Sequence, residues 1–398
     1  MSDVIAPARS LFAGLKPQAP DPLLSLIALY RNDPRPQKID LGVGVYRDAD
    51  GQTPVFGAVK TAEKLLLETQ PTKAYLGPEG DLGFLELMTP VVFGAGRGEG
   101  LISVQTPGGT GALRLAAELA NAGTPGARIW MGTPSWPIHA PIFRQAGLAV
   151  ETFRYFDVAA QRICFDEMMS ALAGVAAGDV VLLHGACHNP TGADLSLDQW
   201  RELAAFLAGR GAVPLVDLAY QGLGAGLDED AAGLRAVMDA CDRVLVAYSC
   251  DKNFGLYRER TGALFVRARG EEDVVRSNIL QLARCAWSMP PDHGAAVARV
   301  ILEDAALAAQ WRAELDAMRG RLAEVRNALA EADPRLEPLR DQHGLFSLLP
   351  LDPSQVDAMR RDHAVYMAGS GRINLAGLTT ATVQPFVQAL AACLQGDA

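Results

Sequence analysis

From about residue 100 to 270 the chain alternates short β-branched or aliphatic runs with amphipathic stretches. The runs fall at 101–104, 128–131, 180–184, 214–218, 244–247 and 263–266, and Gly, Pro or Asp bounds them. Near-continuous apolar runs suit strands buried on both faces, and the amphipathic segments between them suit crossover helices. This pattern predicts a doubly wound α/β domain around a largely parallel sheet.

Beyond Pro290-Pro291 the period changes. Trp311, Leu315, Met318, Leu322, Val325 and Leu329 recur at alternating steps of four and three, which predicts a long helix with one buried stripe. The stripe reads as a core face, not as a cofactor contact. From about residue 335, strand-like runs at 345–349, 365–367 and 372–375 precede a final helical segment, predicting a smaller α+β unit. The chain contains no internal repeat and no low-complexity segment.

Composition narrows the function class. The 398 residues are 49% hydrophobic and 21% charged, the balance of a packed globular protein. No apolar run reaches the ~18 residues of a membrane span, and the start, MSDVIAPARS, lacks a basic-then-apolar signal pattern. The expected location is the cytoplasm. A formal charge of -10 with no Lys/Arg block argues against a nucleic-acid partner. The six cysteines form no CxxC pair and no cluster with histidine, so reduced thiols are expected and no metal site.

Several chemistries fail on a missing element. Ser249-Cys250-Asp251-Lys252 has the SxxK spacing of penicillin-recognising serine enzymes, but no SDN is present, and the nearest approach to KTG is Arg260-Thr261-Gly262, only a few residues downstream. Gly42-Val43-Gly44 and Gly222-Leu223-Gly224 begin a dinucleotide fingerprint, yet neither reaches its third glycine. Neither GxSxG nor HExxH occurs.

The informative stretch is Thr106-Pro107-Gly108-Gly109-Thr110-Gly111-Ala112-Leu113-Arg114. It follows an apolar run and leads into a helical pattern at 113–121, so its free N–H groups meet the positive end of a helix dipole. That is a phosphate cradle, and without a Walker lysine it does not suit a nucleoside triphosphate. Ser249 adds a hydroxyl and Arg260 a rigid fork, a set that fits one phosphate monoester dianion. Lys252 then offers a Schiff-base amine beside a phosphate-anchored ligand. Pyridoxal 5'-phosphate carries both the phosphate and the aldehyde that this arrangement asks for.

The segments TPGGTGALR, PSWPIH, HGACHNPTG, DLAYQG, SCDKNFGLYRERTG and SGRIN occur in this order. From about Leu11 to the C-terminus the chain thus resembles the fold-type I, pyridoxal-phosphate-dependent aminotransferases of the aspartate and aromatic amino acid family. The resemblance implies a large domain over 50–312 with a mostly parallel seven-stranded sheet, a small α+β domain from 16–49 and 313–398, and an N-terminal arm over 1–15. It implies that Lys252 is the internal aldimine lysine and proton shuttle, that Asp217 faces the pyridine nitrogen with His139 behind it, and that Asn189 and Tyr220 bond the phenolic oxygen. Trp136 would stack on the ring. Gly109, Thr110, Ser249 and Arg260 would hold the phosphate, joined by Tyr75 from a neighbouring subunit. Arg372 would clamp the substrate α-carboxylate, Arg284 of the neighbour would meet a side-chain carboxylate, and Gly44 would lie over the substrate. A homodimer with shared active sites follows. For His184 and His188, polar packing and a direct role both stay open.

Five positions depart from strict aspartate enzymes. Ala74, Ile138 and Met289 replace asparagines, and Arg47 replaces a lysine. Three lost amides leave a more apolar, roomier pocket that favours burying an aromatic ring. The expected reaction moves the amino group of tyrosine or phenylalanine, with tryptophan a further candidate and aspartate retained, to 2-oxoglutarate. The alternative is a strict aspartate aminotransferase. A β-lyase or decarboxylase on the same scaffold is a further reading, and a cofactor-sensing regulator would need a DNA-binding unit for which no basic segment is spare. The fifth departure, Asp251, sits where a small uncharged residue is usual, and its side chain could point toward or away from the cofactor ring.

Overall fold

A computed structural model of the chain describes residues 11–17 and 22–395, so residues 1–10 of the expected N-terminal arm lie outside the described residues. The centre is a seven-stranded sheet of β1 (Leu101–Pro107), β2 (Arg128–Thr133), β3 (Ala149–Arg154), β4 (Val180–His184), β5 (Val213–Leu218), β6 (Arg243–Ser249) and β7 (Thr261–Ala268). Their order across the sheet is β1-β7-β6-β5-β4-β2-β3. Only β7 runs against its neighbours, pairing antiparallel with both β1 and β6.

Alternation along each strand feeds two cores. Leu215, Leu245, Ala247, Leu264 and Val266 point into one, against the helices Gly108–Gly123 and Glu272–Trp287. Val216, Leu218, Val244, Val246, Tyr248 and Phe265 point into the other, against Leu197–Arg210 and Ala232–Ala240. Both faces being apolar explains why these strands read as unbroken runs. The six runs found in the sequence each became a strand. The seventh, β3, is an edge strand in which only Phe153 is buried, so it has no apolar run to find.

The helical segment after Pro291 is two helices, His293–Glu303 and Ala305–Ala332. The break falls at Asp304, whose carboxylate accepts from the N–H groups of Ala306 and Leu307 and so caps a new helix. The expected stripe is buried from Trp311 to Leu329. Trp311 stacks on Phe254 at 4.4 Å and donates its indole N–H to the Asn253 carbonyl at 2.7 Å. The long helix therefore braces the loop that carries Lys252.

The three expected C-terminal strands are present as Phe346–Leu348, Val365–Tyr366 and Arg372–Asn374. Arg372–Asn374 pairs with Phe346–Leu348, while Ile39–Asp40 pairs in parallel with Val365–Tyr366. Chain from before the large sheet is thereby stitched to chain from after it. No helix among the described residues is long and apolar enough to cross a membrane.

Candidate active site

All the candidate chemistry of the sheet collects at one edge, where the parallel strands end. His184 and Asp217 are register partners at the ends of β4 and β5, and Ser249 ends β6. The strand β1 stops at Pro107, and the helix Gly108–Gly123 starts at once, five residues earlier than the apolar pattern alone suggested. The first turn of this helix has no side-chain cap, which leaves its N–H groups for an anion.

The glycines here are steric necessities. Gly108 has φ +67°, and a Cβ on it would sit 2.5 Å from Arg260 Nη2. A Cβ on Gly109 would lie 3.1 Å from Ser249 Cβ. Backbone, hydroxyl and guanidinium can converge only because these two side chains are missing. Arg260 itself adopts φ +54°, a conformation uncommon for a non-glycine residue, at the last position before β7.

A cleft of about 330 Å³ is lined by Gly44, Gly109, Thr110, Trp136, Asn189, Asp217, Tyr220, Ser249, Lys252, Arg260 and Arg372. Eleven of the sequence-derived candidates thus meet in one place. Lys252 Nζ lies 5.0 Å from the centre of the Tyr220 ring. Asn189 Nδ2 donates to the Tyr220 hydroxyl at 3.3 Å, and Arg372 Nη1 approaches Asn189 Oδ1 at 3.5 Å. Arg372 also donates from Nη2 to the Gly42 carbonyl at 3.1 Å, while its Nε is buried with no hydrogen-bond partner among the described residues. A half-buried guanidinium with a buried, unused donor suits a carboxylate ligand.

Two candidates lie elsewhere on this chain. Tyr75 is 92% exposed and borders a groove with Ala74 and Met289. Arg284 is exposed on the helix Glu272–Trp287 and donates to Ser288 Oγ at 2.7 Å.

Electrostatics separate the roles of the buried groups. Burial pushes the Asp217 carboxyl up, but the hydrogen bond from His139 and the favourable electrostatics of its neighbours, His139 first and Lys252 among them, outweigh it, so its pKa lies below the ordinary value. Burial raises the Tyr220 phenol, and the Asp217 charge adds to the rise against Arg372 and Asn189. Burial, helped by His139, pulls His184 down to about 3, which keeps that imidazole neutral at physiological pH. His184 faces the cleft and reaches Ser135 Oγ at 3.1 Å; His188 stacks on Tyr155 at 4.2 Å and bonds Thr191 Oγ1. Packing accounts for His188, whereas His184 belongs to the site.

Sequence reasoning missed four contributors. Phe346 lies under the Arg372 guanidinium at 4.4 Å and edge-on to Tyr220, and a Cβ on Gly44 would sit 3.1 Å from it. Arg326 holds this wall by donating to the carbonyls of Leu339, His343, Gly344 and Phe346 and to Ser347 Oγ. Ser135 links His139 to His184, and the Tyr257 hydroxyl, whose pKa burial pushes up to about 12, accepts the Tyr46 N–H at 2.9 Å. Ser135 lies inside PSWPIH and Tyr257 inside the lysine loop, so both sat within segments already singled out. Phe346 and Arg326 gave no such signal.

The residues present fit pyridoxal phosphate: an uncapped helix start, two glycines that open the cradle, an amine, and a carboxylate held ionised. Asp251 is the exception. It is buried, lines the same cleft, and sets a second negative charge beside the residues expected to hold the phosphate, with Oδ2 2.5 Å from Arg260 Nη1.

Comparison with known proteins agrees with this geometry. The family described as aminotransferase class I and II matches residues 36–390. The chain is 55% identical over 378 residues to a tyrosine aminotransferase of Rhizobium meliloti (strain 1021), covering 93% of this chain and 97% of that one. It is 43% identical over 398 residues to an aspartate aminotransferase of Escherichia coli (strain K12), covering 96% and 100%. The aromatic-amino-acid aminotransferase from Burkholderia pseudomallei, whose structure is described as covalently bound to pyridoxal phosphate, superposes with a TM-score of 0.94 at 35% identity over 97% of this chain and all of that one. With a lysine, an ionised carboxylate and a phosphate cradle converging at the strand ends, the chain belongs to the class I and II aminotransferases, enzymes of the pyridoxal 5'-phosphate class.

Proposed function

We propose that this enzyme transfers the amino group of aromatic amino acids, tyrosine and phenylalanine first, and of aspartate, to 2-oxoglutarate in a ping-pong reaction. The observation that carries it is the single cleft that joins Lys252, Asp217, Tyr220 and Arg372. The bound cofactor supplies an aldehyde for the incoming amine and a ring that takes up the electrons released at the substrate Cα.

The chain's own groups do the rest. The Lys252 amine, from its place over Tyr220, takes and returns the proton at the reacting carbon. Asp217 stays anionic and keeps a proton on the pyridine nitrogen, while His139 holds its orientation at 3.0 Å. Asn189 and Tyr220 present their polar atoms to the phenolic oxygen. Gly109, Thr110, Ser249 and Arg260 bind the phosphate, and Trp136 covers the ring. Arg372 grips the substrate α-carboxylate beneath Gly44 and beside Phe346.

We also propose a homodimer in which Tyr75 and Arg284 serve the adjoining subunit's cleft. What supports it is their exposure outside their own cleft, with Leu67 and Val55 also exposed at 87% and 49%. A cytoplasmic location is supported by six unpaired cysteines, five of them buried. The pairing of Ile39–Asp40 with Val365–Tyr366 supports a small domain drawn from 16–49 and 313–398 beside a large one over 50–312.

Ala74, Ile138 and Met289 favour an aromatic donor over aspartate. The test compares kcat/KM for phenylalanine, tyrosine and aspartate with 2-oxoglutarate as acceptor. Comparable or higher values for the aromatic donors are expected; a large preference for aspartate leaves the strict aspartate aminotransferase as the correct reading. A visible absorption band that an amino donor removes and a 2-oxo acid restores would verify the two half-reactions.

A further inference from the structure

Asp251 immediately precedes Lys252, and its carboxylate pairs with Arg260. Oδ2 lies 2.5 Å from Arg260 Nη1, and Oδ1 is buried with no hydrogen-bond partner among the described residues. The Asp251 N–H donates to Ser249 Oγ at 3.2 Å. The carboxylate therefore stands among the groups assigned to the phosphate, and its unsatisfied oxygen marks it as poorly compensated where it is.

Arg260 has little freedom to serve a second anion elsewhere. Its Nη1 also donates to the Tyr257 carbonyl at 3.2 Å, its Nη2 lies against Gly108, and its backbone sits at φ +54°. A phosphate dianion and a carboxylate together would bring about three negative charges to one guanidinium and one helix end worth roughly half a charge. One cation cannot neutralise both.

We propose that Asp251 and the phosphate of the cofactor are rivals for Arg260, so that Asp251 sets how tightly the enzyme holds its cofactor. This rests on the reading of the cleft as the cofactor site. Loading opens the Asp251–Arg260 pair, and release closes it. The rivalry weighs most on the aminated form, pyridoxamine phosphate, which has no bond to Lys252 and depends on its phosphate for retention.

Cofactor-stripped wild type, Asp251→Asn and Asp251→Ser are titrated with pyridoxal phosphate, pyridoxamine phosphate and phosphate-free pyridoxal, following absorption and protein fluorescence. Both variants should bind the two phosphorylated forms at least about tenfold more tightly than wild type, as expected when a like charge is removed near contact. The gain should be larger for pyridoxamine phosphate, and pyridoxal affinity should change less than about twofold. Equal or weaker binding of the phosphorylated forms overturns the proposal and makes Asp251 an orienting partner of Arg260 instead. A protein without a visible band in any variant would sink the cofactor reading alone. The rise in unfolding temperature with inorganic phosphate still tests the rivalry, and must be larger in the variants. Should neither variant fold, a structure of loaded wild type decides: the pair must be broken, and an intact 2.5 Å contact beside bound phosphate refutes it.

Discussion

His139 Nε2 stands 3.0 Å from Asp217 Oδ2, with the imidazole fully buried. The other ring nitrogen faces Ser135 Oγ at 2.9 Å, so the imidazole is fixed at both ends. Asp217 owes its depressed pKa to this contact and to the neighbouring charges that outweigh burial. A carboxyl with a folded-state pKa below its unfolded value stabilises the fold above the unfolded pKa, and that contribution is lost as pH falls through the folded value. His139→Phe keeps the ring near Phe143 but removes the donor. We expect about 1.5–3 kcal/mol lower stability at neutral pH, with the loss in acid setting in at a higher pH than in wild type. Urea denaturation across the acid range measures both, and an unshifted acid limb would show that His139 does not hold the carboxylate.

Arg372 and Arg284 should separate in kinetics. Arg372→Lys replaces a fork by a point charge, and KM should rise roughly 10- to 150-fold for every amino acid, the worth of one charge-assisted hydrogen bond. Arg284→Ala should impose a similar penalty on aspartate and 2-oxoglutarate only, leaving phenylalanine as donor within about threefold. Because Arg284 is assigned to the adjoining subunit, mixing Arg284→Ala with Lys252→Ala chains should rebuild one intact site per mixed dimer. About a quarter of wild-type aspartate activity is expected after random exchange, and no recovery would place Arg284 in its own subunit's chemistry or outside it.

The three missing amides are expected to set donor preference. Ile138 is 41% exposed, and Ala74 and Met289 share the groove of Tyr75. Restoring Asn at all three should move the aspartate-to-phenylalanine ratio of kcat/KM about tenfold or more toward aspartate. An unchanged ratio would mean that the aromatic ring is accommodated elsewhere, with Phe346 the next residue to change.

Trp311 ties the long helix to the lysine loop. Trp311→Ala should cost about 3–5 kcal/mol by leaving a large cavity. Trp311→Phe keeps the stacking on Phe254 but leaves the Asn253 carbonyl without its donor, for about 1–3 kcal/mol. Thermal unfolding ranks the two, and equal losses would show that the hydrogen bond, not the volume, dominates.

The sequence made the sheet legible wherever strands are buried on both faces, because burial writes a run of apolar letters. It hid β3, whose outward positions Glu151 and Arg154 obey the solvent at the sheet's edge. The tight strand-to-helix turn proposed to hold the phosphate could be read because glycine is required by φ at 108 and by close approach at 108 and 109. Lys252, Asp217 and Arg372 stood in recognisable segments. Phe346 did not, since an aromatic wall and an ordinary core residue look alike in a strand-like run. The partner of Asp251 was also invisible: Arg260 stands nine positions further on, and only the turn between β6 and β7 brings the two charges together.

Arg372 holds the Gly42 carbonyl across 330 positions of sequence, and Asn374 donates to the carbonyls of Val43 and Val45. The strand that carries Arg372 and the backbone at 42–45 are consequently tied directly to each other. If Arg372 takes the substrate carboxylate as proposed, the carbonyl it holds at Gly42 couples that guanidinium to the backbone over the cleft, so recognition and covering of the substrate would share one set of hydrogen bonds.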